Sequence, residues 1–253
     1  MSETLIANIE HYRSDSRVRD LGEVFTPEKY ISQMLELIES RHWKDENVFF
    51  FEPTCGHGNI VLSIFKKRVE ALKRKYKRAG EKYPTYVAVA NTVNTLWAID
   101  ICEKNVELTR ARVFSELRNE LEKAGERLPR KQLTEFLGHV MCALNWQISQ
   151  NEALTALSSS DNAFEYAERT KTSKKWFRDT GHRPIDFQNT WVNHYAAESN
   201  GPVTPLLLRK AKKITEALLA GNKPPTYKEF KFVTQALQGT IKVFPKINVK
   251  RGA

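Results

Sequence analysis

The apolar run Val48-Phe49-Phe50-Phe51 breaks into Glu52-Pro53-Thr54-Cys55-Gly56-His57-Gly58-Asn59, and a helical pattern begins at Ile60. A buried strand that ends in a glycine turn and opens a helix is the local unit of an α/β sheet. In an open sheet of that kind, such a turn lies where ligands bind. Gly56 and Gly58 carry no Cβ, so the backbone there can take positive φ and approach a ligand closely. The acid at the strand end suits a polar organic group better than a phosphate. Phosphate-cradling glycine loops exploit the positive helix N-terminus and carry no carboxylate at that point. A purely structural turn has the same signature, so the loop alone leaves both readings open.

Before the loop, Leu5 to Tyr12 has helical spacing, and Thr26-Pro27-Glu28 reads as a helix start with Thr26 as N-cap and Pro27 in the first turn. Ile31, Met34, Leu35 and Ile38 line one face of that helix. After the loop, the spacing predicts a helix from Ile60 to Arg78, then an extended region through Val87-Ala88-Val89-Ala90 and Leu96 to Asp100. Glu103 to Ala124 and Lys131 to Leu144 read as helices, separated by a break from Gly125 to Arg130. Trp146 to Ser149 reads as a short strand, Ser158 to Lys175 as a polar loop, and Pro184 to Val192 as a fourth strand. Leu206 to Leu219 and Tyr227 to Leu237 read as helices and Thr240 to Val249 as a last strand. Strands alternating with helices, with acids at strand ends, predict a doubly wound, mostly parallel sheet.

A chain of 253 residues with 41% hydrophobic residues can bury a substantial core in one large domain with an appendage. The expected division is a ligand-binding domain over residues 1–200, with N-terminal helices up to residue 45, and a small basic helical extension over 201–253. No apolar run reaches the ~20 residues of a membrane span, and Met1-Ser2-Glu3-Thr4 is not the start of a secretory signal. Cys55, Cys102 and Cys142 are far apart with no C-x-x-C pair, which argues against a zinc site or a disulfide framework and for a reduced, cytoplasmic setting. A net charge of +10 makes a polyanion, nucleic acid first, the expected partner.

Three segments line up in order: Gly22-Glu23-Val24-Phe25-Thr26-Pro27, the loop Glu52 to Asn59, and Ala98-Ile99-Asp100-Ile101 about 40 residues on from it. Together they resemble the S-adenosylmethionine-dependent DNA adenine-N6 methyltransferases of restriction–modification systems, including stand-alone phage-borne members. The resemblance covers residues 15–155 and implies a Rossmann-like sheet of the class I methyltransferase type. It implies that Phe25, Thr26 and Pro27 border the methionine moiety of the cofactor. It also implies that Glu52, Pro53, Cys55, Gly56, Gly58 and Asn59 form the cofactor loop, that Asp100 holds the ribose, and that Ile101 lies against the adenine. Glu152, in Glu152-Ala153-Leu154, stands nearest to the family's Asp-x-Leu, whose acid contacts the adenine amino group; a helix-start acid is the equal alternative.

The departure lies further on. That family carries Asn/Asp-Pro-Pro-Tyr/Phe after its fourth strand, to bind the target amino group and stack on a flipped base. Here the only Pro-Pro is Pro224-Pro225, in Asn222-Lys223-Pro224-Pro225-Thr226-Tyr227. The fourth strand ends instead in Phe187-Gln188-Asn189-Thr190-Trp191, where Asn189 is the candidate amide acceptor and Trp191 the candidate stacking ring. Their alternatives are a turn residue and a core aromatic.

Lys66, Lys67, Arg74, Lys75, Lys77 and Arg78 on one helix, and Arg209, Lys212 and Lys213 near the C-terminus, are candidate nucleic-acid contacts. Trp176, Phe177, His182 and Arg183 add aromatic and basic groups beside the fourth strand. Each basic run is more often a solvated helix face than a contact surface, and having two beside these motifs favours contact. The expectation is a DNA methyltransferase aided by a protein partner for target recognition. The alternative is an inactive methyltransferase-fold protein that binds DNA or a protein partner as a regulator or decoy.

Overall fold

The computed structural model of the chain describes residues 26–192. Three parallel strands, β1 (Phe50–Glu52), β2 (Leu96–Asp100) and β3 (Ile148–Gln150), pair in the order β1-β2-β3. The register sets Phe51 opposite Trp97 and Ile99 opposite Ser149. The helices are α1 (Glu28–Glu36), α2 (Asn59–Arg78), α3 (Pro84–Thr95), α4 (Glu103–Ala124), α5 (Arg130–Gln147), α6 (Ala153–Leu157), α7 (Ser160–Ala167) and α8 (Lys171–Thr180). The α/β class and the parallel pairing agree with the sequence. The sheet is smaller than the full doubly wound one expected, and no reversal of strand order occurs among the described residues.

Because the strands are parallel, their carboxyl ends Glu52, Asp100 and Gln150 share one edge of the sheet. With neighbouring strands ~4.8 Å apart, the loops after β1 and β3 lie ~10 Å from each other across that edge. The ladder continues past the strands: Cys55 N–H donates to the Ile99 carbonyl (2.8 Å) and Asn151 N–H to the Asp100 carbonyl (3.1 Å). Three loops are thereby held together where the sheet ends.

Four local expectations are corrected. Val87 to Ala90 are helical, in α3, where Thr85 to Thr95 are all buried. A helix buried on every side has no polar stripe, so its 3.6-residue period disappears and Val-Ala-Val resembles a strand. Pro84 starts it, since a first-turn residue needs no donor N–H. Ser158 to Lys175 fall mostly in α7 and α8, whose buried residues are only Ala163, Ala167 and Ser173, side chains too small to print an apolar pattern. Thr170 caps α8 by accepting from the Ser173 N–H at 3.0 Å.

Pro184 to Thr190 form no strand. Asp186 organises a turn there, accepting from the Gln188 N–H through its side chain (2.9 Å) and from the Asn189 N–H through its carbonyl (3.1 Å). Thr26 is not the cap of α1: Pro27 takes that place without a side-chain bond, and its carbonyl accepts from the amides of Tyr30 and Ile31. The segments from Leu5 to Tyr12, Leu206 to Leu219, Tyr227 to Leu237 and Thr240 to Val249 lie outside the described residues, as do the domain boundary at residue 200, Phe25, Arg209, Lys212 and Lys213.

The core is one cluster. α3 packs between α2 and α5, and Leu96, Ala98 and Ile148 join it from the sheet. Trp191 belongs to it as well: it is fully buried, its ring N–H donates to His139 Nδ1 (3.0 Å) and its backbone N–H to Gln147 Oε1 (3.2 Å). With Nδ1 an acceptor, His139 carries its proton on Nε2 and donates to the Ala90 carbonyl at 2.9 Å. Burial pushes its pKa down to about 4, consistent with that neutral tautomer.

Candidate functional site

The turn after β1 is built by two positive-φ glycines, Gly56 at +50° and Gly58 at +82°. Gly58 N–H closes back on the Cys55 carbonyl at 2.7 Å, and Gly58 then serves as the left-handed cap from which α2 starts. A Cβ on Gly58 would lie 2.8 Å from Thr109 Oγ1 and Cγ2, whereas a Cβ on Gly56 would meet nothing within 4 Å among the described residues. One glycine therefore answers to packing, and the other leaves the loop open.

Asp100 ties the loop to β2. Its Oδ2 accepts from the Gly56 N–H (2.8 Å), and its Oδ1 from the Cys102 N–H (2.8 Å) and Asn105 Nδ2 (3.2 Å). A carboxylate offers about four acceptor positions. The protein fills three, leaving room for one further donor rather than the two expected from a ribose diol. Three polar residues on α4 finish the clamp. Asn105 reaches Asp100, Thr109 Oγ1 donates to the Gly56 carbonyl (3.0 Å), and Arg112 bonds the His57 carbonyl and Asn59 Oδ1 (2.8 Å). Sequence reading missed these three. Their signal is the spacing i, i+4, i+7, which sets polar side chains on one helix face, and Asn105 and Thr109 on that face are buried.

Glu52 is the acid with spare capacity. Its Oε1 accepts from both the amide (3.1 Å) and the hydroxyl (3.3 Å) of Thr54, and Oε2 has no partner among the described residues. Burial pushes its carboxyl above the ordinary range, the Thr54 bonds oppose the rise, and Asp100 adds to it. Burial, with Asp100 adding, also pushes the Cys55 thiol up to about 12, so Cys55 is a neutral packing group.

A raised folded-state carboxyl contributes stability that is present below the unfolded value of 4.5 and lost as pH rises through the folded value. The Glu52 charge is thus a cost at neutral pH. Glu52→Gln keeps an acceptor for Thr54, and is expected to stabilise the fold by about 1 kcal/mol near pH ~8 and scarcely at all near pH ~4. Thermal unfolding at the two pH values measures it.

Other candidates fall elsewhere. Glu152 caps α6 by accepting from the Thr155 N–H at 2.8 Å, which is the helix-start role. Ile101 is half-buried beside Asp100, and its carbonyl accepts from Gln150 Nε2 (2.9 Å). Pro53 lies half-buried within the loop. Thr26 and Pro27 make no hydrogen bond to the loop among the described residues. Trp191, with no exposed face, has no ring surface to offer a base. The Asn189 carbonyl accepts from the Trp146 indole at 2.6 Å, a contact that pins the chain to α5.

The basic run of α2 divides by depth. Lys66 is exposed, whereas Lys67 donates to the Leu35 carbonyl (2.9 Å) and lies over the Trp43 ring. Arg74, Lys75 and Arg78 line a cleft of ≈ 1090 Å³ with Arg41 and Lys44, and Lys77 is exposed nearby. Arg74 pairs with Glu70 at 2.8 Å and Lys75 with Glu46 at 3.4 Å. Sixteen residues of helix separate Gly58 from Arg74, about 24 Å at 1.5 Å per residue, so this cleft is at the opposite end of α2 from the glycine loop.

Among the described residues no helix is long and apolar enough to cross a membrane, and no group of three or more His, Cys, Asp or Glu is placed to hold a metal ion. No family model matches the sequence, and neither a curated protein nor a solved structure matches it.

Proposed function

We propose that this chain binds S-adenosylmethionine at the carboxyl ends of β1 and β2 and directs methyl transfer to DNA, with adenine N6 as the acceptor. The observation that supports the reading is the turn itself: among the described residues, open space beside Gly56 next to a buried Glu52 with one carboxylate oxygen unpartnered. An amino-acid zwitterion suits that combination. Glu52 Oε2 faces an ammonium, and the first-turn amides of α2, which have no intrahelical acceptor, suit a carboxylate. The remaining lone pair of Asp100 is left for a ribose hydroxyl. The placement of Phe25, Thr26, Pro27 and Ile101 around the methionine and adenine rests on the family resemblance. Bound S-adenosylmethionine supplies an electrophilic methyl group, so the work of these residues is positioning.

Calorimetric titration of folded, ligand-stripped protein with S-adenosylmethionine tests this. Binding is expected, with its loss in Gly56→Trp; absence of binding by folded protein overturns the proposal. Labelled methyl transfer, compared between DNA and RNA, then identifies the acceptor.

One observation favours a second reading. Trp191 is in the core and residues 184–190 form no strand, so the candidate stacking ring has no face for a base. The chain would then keep the cofactor pocket and act as a non-catalytic regulator or decoy, binding DNA or a protein partner. Cofactor binding without methyl transfer to DNA is the result that selects it.

A further inference from the structure

α8 carries Lys171, Lys174, Lys175 and Arg178 at i, i+3, i+4 and i+7, and all four are exposed. That spacing puts them along one helix face as a stripe ~10 Å long. The other face is fixed to the protein: Ser173 is buried and Phe177 meets Phe164 edge-on at 6.2 Å. A helix anchored in this way presents its cations from a rigid support.

Charge balance separates the stripe from an ordinary solvated face. Lys174 pairs with Glu168 (2.6 Å) and Arg178 with its neighbour Asp179 (3.1 Å), while Lys171 and Lys175 have no ion pair among the described residues. Phe164, which meets Phe177 on the other side of α8, is itself 63% exposed. Exposed cations in a row on a fixed helix, two of them without an ion pair among the described residues, suit the phosphates of a nucleic-acid backbone.

Position decides between this surface and the cleft on α2. The segment leaving α8 is bonded to the carboxyl edge of the sheet. Asn151, the residue after β3, donates to the Arg183 carbonyl (3.0 Å), Ile185 N–H to the Ala156 carbonyl (3.1 Å), and His182 Nε2 lies 2.9 Å from the Thr155 carbonyl. The C-terminal end of α8 therefore leads into the carboxyl edge that also carries the glycine loop, and the α2 cleft lies at the other end of its helix.

We infer that the exposed cation face of α8 is the surface on which the sugar–phosphate backbone of DNA docks, on the side of the sheet's carboxyl edge where β3 ends. The inference rests on the reading above only for DNA as the macromolecule bound. The test contains no S-adenosylmethionine, so its failure and a failure of cofactor binding are read separately.

The test is fluorescence anisotropy of the full chain with a labelled DNA duplex over a salt series, for Lys171→Gln/Lys175→Gln and for Arg41→Gln/Lys44→Gln. Both pairs remove two exposed charges, the second from the α2 cleft, and circular dichroism confirms the fold of each. The α8 pair is expected to weaken binding about 10-fold or more and to lower the salt slope by about 2, with the cleft pair changing affinity less than about 3-fold. Three results overturn the inference: no duplex binding by the parent protein, equal losses from both pairs, or an α8 pair that binds like the parent. Binding to vesicles of anionic lipid that is tighter than to duplex, and lost in the α8 pair, also overturns it and assigns the surface to membranes.

Discussion

Arg68→Ala is expected to lower the unfolding free energy by about 4 kcal/mol. Within the basic run of α2, Arg68 alone is wholly buried. Its Nη1 donates to the His42 carbonyl (3.0 Å), its Nη2 to the Asp45 carbonyl (2.9 Å), and its Nε to Thr95 Oγ1 (3.2 Å), with the guanidinium 4.9 Å from the Phe50 ring centre. One side chain thus joins the loop before β1, the end of α3 and the strand that leads into the glycine turn. Burial lowers its pKa to about 10, so it remains charged at neutral pH and depends on those acceptors. Alanine removes the donors from two carbonyls and leaves a large void, two costs that add. Arg78→Ala, at the exposed end of the same helix, is expected to change stability by less than about 0.5 kcal/mol. Urea unfolding of the two variants makes the comparison, and equal midpoints would contradict the role given to Arg68.

The second large effect separates two glycines that look alike in sequence. Gly58→Ala is expected to cost about 3 kcal/mol, because its φ of +82° is strained for any L side chain and the new Cβ would press on Thr109 at 2.8 Å. Thr109 is buried and bonded to the Gly56 carbonyl, so it cannot turn aside without releasing the loop. Gly56→Ala, at φ +50° with nothing within 4 Å, is expected to cost only about 1 kcal/mol of backbone strain. If the open side of Gly56 receives a ligand, that mild variant still loses S-adenosylmethionine affinity. Paired thermal unfolding and calorimetry measure both quantities. Unchanged affinity in a stable Gly56→Ala would mark the turn as purely structural.

The sequence carried the strand–turn–helix around Glu52 to Asn59, the acid closing β2 and the long helix from Glu103 to Ala124, because each rests on local chemistry. An apolar run, a pair of glycines and a 3.6-residue period survive in one dimension. α3 did not survive, since burial on every side erases its period, and α7 and α8 did not, since their buried residues are small. The clamp from Asn105, Thr109 and Arg112 was visible only as polar residues on an otherwise ordinary helix.

What the sequence by itself determined, then, is a parallel α/β framework with a glycine turn after its first strand. The tertiary structure decided which polar groups around that turn the protein uses for its own bonds. It took three acceptor positions of Asp100 for the protein's own bonds and, among the described residues, left Glu52 one free oxygen. It drew Arg68 and Trp191 into the core and tied the segment after α8 to the residues that follow β3. Residue type and spacing set what a side chain can do; whether it does so for the fold or for a ligand depends on which partners distant segments bring within about 3 Å.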